Sequence, residues 1–482
     1  MATRIFIDGE WRDAAAGATV EGTSPATGES LGPVAEGTRD DARRAIAAAN
    51  AAFQTWSART GFERAELLHR VADACEHRRD ELARICTLDQ GKPLKAEAEV
   101  ETGELIEFFR MAAEDAKRIE GRIPESAVPG RRVLLLRRPV GVLGLITPWN
   151  WPYTMPAEVL APALGCGCTV VWTPAPTTAV CSGALAECVV EADLPPGVFN
   201  FVLGPGPEVG DELAVNPGTH AVAFTGSIAT GLTVSRQAAG KVQLLEMGGN
   251  GPFVVLDDAD LDAAAEAAQV GSFLGGGQSC SAAERILVQE GVREEFVDRL
   301  ATHVAHDVRL GDPLAAETTL GPLNNEPTAA KMDAHVSDAV ERGARVVTGG
   351  ARAEGFPTDL YWPATIIDAV PTDSTAVTEE TFGPIAPIVS IGSLEEAIEQ
   401  TNSQPYGLMS AIFTGDLGAG MRFADSVQMG LVNINETTNY WEPHLPWGGS
   451  GRSESGVGRV GGRYPMETLT ELQTVLIRSE PS

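Results

Sequence analysis

The chain has 482 residues, more than one hydrophobic core usually serves, so we expect two or three domains. A net charge of −30 argues against a nucleic-acid partner, because phosphate binding needs clustered lysine and arginine. No stretch approaches the roughly 18 apolar residues of a membrane span, and the opening MATRIFIDGEW lacks the apolar core of a signal peptide. We therefore expect a cytoplasmic protein that binds neither membranes nor nucleic acids.

The first part of the chain predicts a hairpin followed by long helices. Apolar residues alternate over 5–11 on either side of Asp8-Gly9, as in two short strands joined by a tight turn. Apolar positions then recur at helical spacing over 40–58, 62–90 and 94–120. We expect amphipathic helices there, the second of them ending at the Gly-Lys-Pro that follows it.

From residue 131 onward, apolar strands alternate with Ala-rich helices across Gly/Pro turns. A first series of strands is expected at 131–148, 168–174, 197–204 and 220–227. The helices between them are expected near 178–192, 206–215 and 228–239. A second series of strands is expected at 253–257, 285–289, 345–350 and 386–392, with helices near 260–274 and 292–308. This βαβ rhythm predicts an α/β fold with two doubly wound, parallel-sheet domains joined near 246–252.

The seven cysteines are too few for a disulfide framework, and their odd number leaves at least one free thiol. Six of them stand among Ala, Val and Leu, where cysteine serves as a small buried apolar residue. Cys280 differs, because it follows the glycine run GGGQS, whose bare backbone lets a ligand or another segment come close. The pair His303 and His306 lies on a charged helical segment, which favours a solvated face over a metal site. The sequence therefore indicates no metal centre and leaves Cys280 as either a filler or a nucleophile.

Three further segments carry candidate functional residues, each with a structural alternative. In AFTGSIATG, Gly226 and Gly231 bracket a strand-to-helix turn that could face a pyrophosphate. In TPWNWP, the amide of Asn150 could donate to an oxyanion, or it could satisfy turn backbone. In LLEMGGN, Glu246 ends an apolar strand, where α/β folds place ligands, and suits a general base or a surface turn.

In their order and spacing, these segments resemble the aldehyde dehydrogenase superfamily over nearly the whole chain. The matching stretches are TPWNWP, APALGCGCTVV, LPPGVFNFVLG, FTGSIATG, LLEMGGN, GGGQSC, EETFGP, NSQPYGL, GLVNIN and PWGGSGRSESGVGR. On these ordered matches the chain is identified as a member of that superfamily.

The resemblance implies an enzyme that oxidises an aldehyde to the carboxylic acid. By its place in GQSC, Cys280 matches the thiol that attacks the aldehyde and then carries a thioester. The amide of Asn150 and the Cys280 backbone N–H match the groups that hold the oxyanion. Glu246 matches the base that activates the hydrolytic water. Because CoA-acylating relatives usually lack that glutamate, Glu246 favours hydrolysis over an acyl-CoA-forming semialdehyde dehydrogenase. A second alternative is a catalytically weakened binding or structural relative, which the retention of Cys280, Glu246 and Asn150 together disfavours.

The resemblance also implies NAD or NADP as hydride acceptor. The positions that match cofactor-binding residues are Ile146, Thr147, Pro148, Trp149, Thr173, Pro176, Gly206, Phe224, Gly226, Ser227, Gly231, Glu246, Met247, Gly248, Glu380 and Phe382. Thr173 and Pro176 stand where the family usually has the lysine and glutamate that bind the adenosine ribose, so the choice between NAD and NADP stays open. Val159 replaces a lysine that is common near the general base, a difference that bears on deacylation.

The substrate tunnel of the family corresponds here to acidic and aromatic positions. They are Glu101, Glu104, Trp151, Glu158, Tyr440 and Trp441. One interpretation is a cationic aldehyde, since a cation gains roughly 0.5–2 kcal/mol over an aromatic face. The other is an acidic rim in solvent, with aromatic side chains that accept an apolar or aromatic aldehyde.

The resemblance implies a domain organisation as well. Residues 1–120 and 141–246 form the expected dinucleotide-binding domain, 247–427 form the catalytic domain, and 428–459 return to the first. Residues 121–140 and 460–482 form a small β arm, and its exposed apolar edge needs covering. A homodimer or homotetramer is therefore expected.

Overall fold

Two large, mostly parallel sheets organise the chain in the computed structural model, which describes residues 2–478. The first sheet has the strand order β18-β10-β9-β6-β7-β8-β1-β2. Its strands are β1 (Ile5–Ile7), β2 (Glu10–Arg12), β6 (Val142–Thr147), β7 (Thr169–Pro174), β8 (Phe199–Phe201), β9 (Ala221–Gly226), β10 (Val242–Met247) and β18 (Gly456–Val457). The order reverses between β6 and β9, which places a crevice at the carboxyl ends of these strands.

The second sheet has the strand order β13-β14-β15-β12-β11-β16-β17. Its strands are β11 (Pro252–Val255), β12 (Arg285–Gln289), β13 (Arg345–Thr348), β14 (Thr365–Asp368), β15 (Ile385–Ile391), β16 (Met409–Phe413) and β17 (Leu431–Ile434). Parallel pairing from β14 to β17 confirms the predicted α/β class. The chain was expected to return to the first domain at residue 428, but β17 still pairs with β16 of the second sheet. The chain re-enters the first sheet only at β18.

Two small antiparallel pairs lie outside these sheets. They are β3 (Thr19–Thr23) with β4 (Ser30–Ala35), and β5 (Arg131–Pro139) with β19 (Thr470–Arg478). β5 and β19 pair along their whole length, while Leu472 and Leu476 of β19 stay 55% and 65% exposed. The predicted arm is therefore a two-stranded ribbon with apolar side chains in solvent. The last residues of the expected segment, 479–482, lie outside the described residues.

Helices connect the strands. They are α1 (Arg39–Ser57), α2 (Gly61–His77), α3 (Arg79–Gln90), α4 (Glu99–Ala116), α5 (Thr154–Cys166), α6 (Ala179–Glu191), α7 (Asp211–Val215), α8 (Ile228–Gln237), α9 (Leu261–Phe273), α10 (Arg293–Asp307), α11 (Glu326–Glu341), α12 (Thr375–Thr378), α13 (Leu394–Asn402), α14 (Leu417–Ser426) and α15 (Tyr464–Thr468). Among the described residues, no helix combines the length and apolarity needed to cross a membrane.

The helix expected over 62–90 is two helices, because Arg78 leaves the helical conformation with φ −102° and ψ 15°. The apolar periodicity continues across this break, so periodicity alone does not reveal it. The helix expected over 94–120 begins with a wider π turn over 94–98 and continues as α4. The predicted glycine stop is confirmed, since Gly91 ends α3 with φ +101°.

Candidate active site

The three residues assigned to catalysis come together around the switch between β6 and β9. Asn150 follows β6, Glu246 lies on β10 beside β9, and Cys280 follows α9 and a glycine turn. Cys280 lines two separate cavities. One, of about 310 Å³, is bounded partly by residues from the ends of β6, β9 and β10, and the other, of about 170 Å³, has four aromatic side chains among its lining residues. Cys280 is therefore the residue at which the two cavities meet.

The glycines before Cys280 have a conformational role. Gly275, Gly276 and Gly277 have φ of 65°, 64° and 67°, a left-handed turn that side chains disfavour. A Cβ on Gly277 would also overlap the backbone carbonyl of Gly383. The sequence suggested that these glycines leave room for a ligand, but the structure shows that they shape the backbone and admit the neighbouring loop.

Replacing Gly277 with alanine is expected to destabilise the fold. The left-handed conformation alone costs an alanine roughly 1–2 kcal/mol, and the overlap with Gly383 adds to it. The matched control is Gly291→Ala, since a Cβ there meets no atom within 4 Å. Thermal unfolding should show a lower Tm for Gly277→Ala than for Gly291→Ala, and equal values would contradict this role of the turn.

The amide of Asn150 is buried and donates from Nδ2 to the backbone carbonyl of Gln278, at 3.0 Å. This contact matches the second sequence interpretation, in which the asparagine satisfies the backbone of a loop. The contact also holds the Asn150 amide close to Cys280, because Gln278 is only two residues before the cysteine. Asn150 lies there on the wall of the larger cavity. Both uses of the asparagine are thus compatible, because the amide nitrogen carries two hydrogens.

Glu246 is buried, and neither of its carboxylate oxygens has a hydrogen-bond partner among the described residues. Burial raises the pKa of Glu246 well above its usual value, and the charge of Glu158 raises this pKa further. A Cβ on Gly448 would come within 2.6 Å of the Glu246 carboxylate. Gly448, the first glycine of PWGGSG, therefore leaves space for this side chain.

The pKa of the Cys280 thiol is also raised, first by burial and then by the charges of Glu380 and Glu246. A lower concentration of thiolate follows at neutral pH, so the cysteine needs a group that accepts its proton. Burial raises the pKa of Glu380 to about 7, and its Oε1 accepts a hydrogen bond from Gly249 N at 2.9 Å. The acidic residues around the sulfur are thus partly protonated near neutral pH.

The larger cavity contains residues that could hold the nicotinamide end of a dinucleotide. The ring of Phe382 meets Trp149 edge to face at 5.5 Å, and Phe382 has φ 60°, held by its N–H donating to Glu284. A Cβ on Gly248 would contact the Glu380 carboxylate, so the glycine leaves that group free to face the cavity. Of the assigned cofactor residues, this cavity brings together Pro148, Trp149, Gly226, Ser227, Glu246, Met247, Gly248, Glu380 and Phe382.

Other assigned cofactor positions lie away from this cavity wall. They are Ile146, Thr147, Thr173, Pro176, Gly206, Phe224 and Gly231. Gly231 also has a packing role, because a Cβ there would overlap Met247, while its expected place beside a pyrophosphate stays a prediction. Thr173 is buried at the end of β7, and Pro176 is exposed where the next turn begins, so neither supplies a charged group.

The smaller cavity contains four of the six expected substrate positions: Glu104, Trp151, Tyr440 and Trp441. The expected places of Glu101 and Glu158 at the substrate tunnel are corrected, since both residues are completely buried and neither lines this cavity. Glu101 faces away because the Nζ atom of Lys92 pairs with it at 2.5 Å. The same Nζ lies 3.7 Å from the centre of the Trp151 ring.

Several lining residues were missed by the sequence. Asn325, Thr328 and Lys331 of the larger cavity stand on or just before α11, and nothing in their local pattern marks them. Trp447 of the smaller cavity lies within a matched motif, PWGGSG, which could have identified it. In residues 2–478, no group of three or more His, Cys, Asp and Glu side chains could hold a metal ion.

Comparison with known proteins gives a consistent result. The model of the aldehyde dehydrogenase family matches residues 11–475. The glutarate-semialdehyde dehydrogenase of Pseudomonas aeruginosa is 40% identical over 472 residues, with 98% of this chain and 96% of the relative covered. The NADP-dependent succinate-semialdehyde dehydrogenase of Escherichia coli is 39% identical, with 98% and 97% covered.

Solved structures agree with this result. An NADP-dependent enzyme of Escherichia coli has a TM-score of 0.95 at 39% identity, with 99% of this chain and 98% of the other covered. A betaine aldehyde dehydrogenase of Staphylococcus aureus, solved with NAD⁺, has a TM-score of 0.95 at 34% identity, with 100% and 96% covered. The chain therefore belongs to the aldehyde dehydrogenase family and oxidises an aldehyde to the carboxylic acid, with NAD or NADP as hydride acceptor.

Proposed function

We propose that Cys280 is the nucleophile of this oxidation, that Asn150 helps to hold the oxyanion, and that Glu246 activates the hydrolytic water. The observation that carries this proposal is the position of Cys280 on the walls of both cavities. A thiol at that junction can bond to an aldehyde from one side while a hydride acceptor lies on the other. Glu246 lines the cofactor side, where a water molecule can approach an acyl group on the sulfur.

The chemistry follows from these positions. The Cys280 sulfur adds to the aldehyde carbonyl, and the developing oxyanion lies near the Asn150 amide and the Cys280 backbone N–H. Glu380 and Phe382 would hold the ribose and ring of a nicotinamide cofactor in the larger cavity, and that cofactor would supply the hydride acceptor. The thioester left on Cys280 is hydrolysed by water that Glu246 deprotonates. The raised pKa of Glu246 makes it a stronger base than an exposed carboxylate.

The smaller cavity supports a neutral, largely apolar or aromatic aldehyde as the substrate. None of its lining residues in the described chain is lysine or arginine, so no cation there would pair with a carboxylate tail. The case for a cation is weakened by Lys92, which neutralises Glu101 and already occupies one face of Trp151. Glu104 remains, but burial raises its pKa to about 7, so its charge is partial. The aromatic walls then select mainly by apolar contact.

An aldehyde panel tests this specificity. We expect kcat/KM for benzaldehyde or an apolar aliphatic aldehyde to exceed that for succinate semialdehyde and for an amino-aldehyde of similar length. Each substrate should be run with NAD and NADP separately, and with and without CoA. The carboxylic acid should form at the same rate whether or not CoA is present. Preference for the semialdehyde or the amino-aldehyde would contradict the proposed pocket chemistry.

We also propose that the chain forms a homodimer or homotetramer through the β5–β19 ribbon. The exposed Leu472 and Leu476 on β19 support this, because apolar side chains on a ribbon edge invite pairing with another chain. A single-chain mass in solution would overturn it. The sheets further support division into a dinucleotide-binding and a catalytic domain, with the junction in the short segment between β10 and β11.

A further inference from the structure

The loop of residues 379–384, between α12 and β15, carries two of the assigned cofactor residues, Glu380 and Phe382. Both line the larger cavity. Phe382 has a left-handed φ of 60°, which a bulky side chain adopts only where its surroundings hold it there. Three consecutive backbone N–H groups of this loop, at residues 380, 381 and 382, donate to side chains from other parts of the chain. The shape of the loop therefore depends on those side chains.

Glu284 accepts two of these three hydrogen bonds. Its Oε2 accepts from Thr381 N at 2.7 Å, and its Oε1 accepts from Phe382 N at 2.6 Å. The hydroxyl of Tyr406 accepts the third, from Glu380 N at 3.1 Å. Because one carboxyl holds both N–H groups, it fixes the two peptide planes that flank Thr381. The directions of the Glu380 and Phe382 side chains follow from those planes.

Glu284 also lies close to the nucleophile along the chain. It stands four residues after Cys280 and directly before β12, and its exposed fraction is only 1%. The same segment meets the loop at a second point, because a Cβ on Gly277 would overlap the carbonyl of Gly383. The segment that carries Cys280 and the loop of residues 379–384 are therefore joined by two hydrogen bonds and by close backbone packing.

Filling space does not explain a carboxyl at this position. A buried carboxyl costs stability unless its oxygens are hydrogen-bonded, as they are here. Burial and the charge of Glu380 raise the pKa of Glu284, while the two backbone N–H groups lower it. In either protonation state both oxygens can accept, whereas the amide of a glutamine has one accepting oxygen and would turn its NH₂ group toward an N–H. The position therefore uses the two acceptors of the carboxyl.

We propose that Glu284 is a positioning residue for hydride transfer, which holds Glu380 and Phe382 in place for the nicotinamide and keeps their loop aligned with Cys280. The inference rests on the proposed function, in which Cys280 carries the aldehyde adduct and Glu380 and Phe382 hold the cofactor. Glu284 lines neither cavity, so it is not a catalytic residue. Loosening the loop should impair cofactor binding and hydride transfer and leave the chemistry of the sulfur intact.

The test is Glu284→Gln, which keeps the shape of the side chain but offers only one acceptor. We expect a several-fold weaker calorimetric affinity for whichever of NAD and NADP the wild type binds. The kcat for aldehyde oxidation should fall about tenfold, since misplacing a reactant by about 1 Å can cost about 100-fold. Glu284→Ala, which offers no acceptor, should lower both quantities further. If Glu284 only filled space, Glu284→Gln would match the wild type.

Hydrolysis of p-nitrophenyl acetate without cofactor measures the sulfur chemistry alone. The Cys280 sulfur bonds to the acetyl carbon, the C–O bond breaks, nitrophenolate leaves with the electron pair, and the thiol proton passes to water. Water activated by Glu246 then hydrolyses the thioester. Because no hydride moves, kcat for this ester should stay near the wild-type value in Glu284→Gln. The rate at which iodoacetamide alkylates Cys280, followed on its peptide, should also be unchanged and requires no turnover.

Asp41→Asn is the matched control. The buried carboxyl of Asp41 also accepts from two backbone N–H groups, those of Ala15 at 3.2 Å and Thr38 at 3.0 Å, but it lies on α1 and lines neither cavity. This change should lower Tm and leave cofactor affinity and kcat at wild-type values. Tyr406→Phe removes the third acceptor of the loop and should show the Glu284→Gln pattern in weaker form. It decides the matter if Glu284→Gln does not fold.

The outcomes separate the two proposals. Wild-type cofactor affinity and kcat in Glu284→Gln and Tyr406→Phe would overturn the positioning role. A parallel fall of ester hydrolysis, alkylation and aldehyde oxidation would overturn it too, and so would an equal effect of Asp41→Asn. Aldehyde oxidation by Cys280→Ala would overturn the proposed nucleophile instead. The cofactor affinity of Glu284→Gln does not involve the thiol and would still test the loop.

Discussion

Replacing Cys280 with alanine is expected to abolish aldehyde-dependent formation of reduced cofactor, lowering kcat by at least about 1,000-fold. The reason is that the sulfur is the atom at which aldehyde and cofactor sides meet, so without it no covalent adduct forms. Absorbance at the wavelength of the reduced nicotinamide, with excess aldehyde and cofactor, measures the loss.

The matched control is Cys75→Ala, which removes a thiol buried in the helical layer of the first domain. This change should lower stability slightly and leave kcat close to the wild-type value. Activity of Cys280→Ala above a few per cent would mean that another group attacks the aldehyde, and the assignment of the nucleophile would fail.

Replacing Glu246 with glutamine is expected to separate the two halves of the reaction. The enzyme should release a burst of about one reduced cofactor per active site and then stall, with a steady-state rate about 100-fold or more below wild type. Glutamine fills the same space beside Gly448 but cannot take a proton from water. Stopped-flow kinetics gives both quantities in one trace, and unimpaired turnover after the burst would remove Glu246 from the mechanism.

The pH dependence of the wild-type enzyme should follow from the same residue. Since burial raises the pKa of Glu246, the carboxylate form that acts as base is lost as pH falls through this raised value. Deacylation should therefore slow on the acid side well above the pH at which an exposed glutamate titrates. In the Glu246→Gln enzyme this acid limb of the steady-state rate should be absent.

Much of the fold was predictable because strands and turns carry local signals. The hairpin around Asp8-Gly9, the strand Arg285–Gln289 and the glycine stop at residue 91 all follow from patterns within a few residues. The break at Arg78 does not follow from such a pattern, since the apolar stripe of α2 continues in register into α3. Periodicity records which face is buried and not whether the backbone is continuous.

The site divides in the same way. The positions of Cys280, Glu246 and Asn150 could be predicted, because ordered motifs identify all three, with Asn150 and Glu246 at the carboxyl ends of strands and Cys280 after the glycine turn that follows α9. The burial of Glu101 could not be predicted, since its charge is neutralised by Lys92, nine residues earlier. The two residues are separated by a π turn for which the sequence gives no signal. The burial of Glu158 is likewise a tertiary property, because only packing decides which helix positions face the core.

The most direct test of the central claim is the mass of the Glu246→Gln enzyme after a single turnover. The protein is mixed with aldehyde and cofactor, quenched in acid, and analysed intact and as peptides. We expect a mass increase equal to one acyl group per chain, located on the peptide that contains Cys280. An unmodified Cys280, or an acyl group on any other residue, would contradict it.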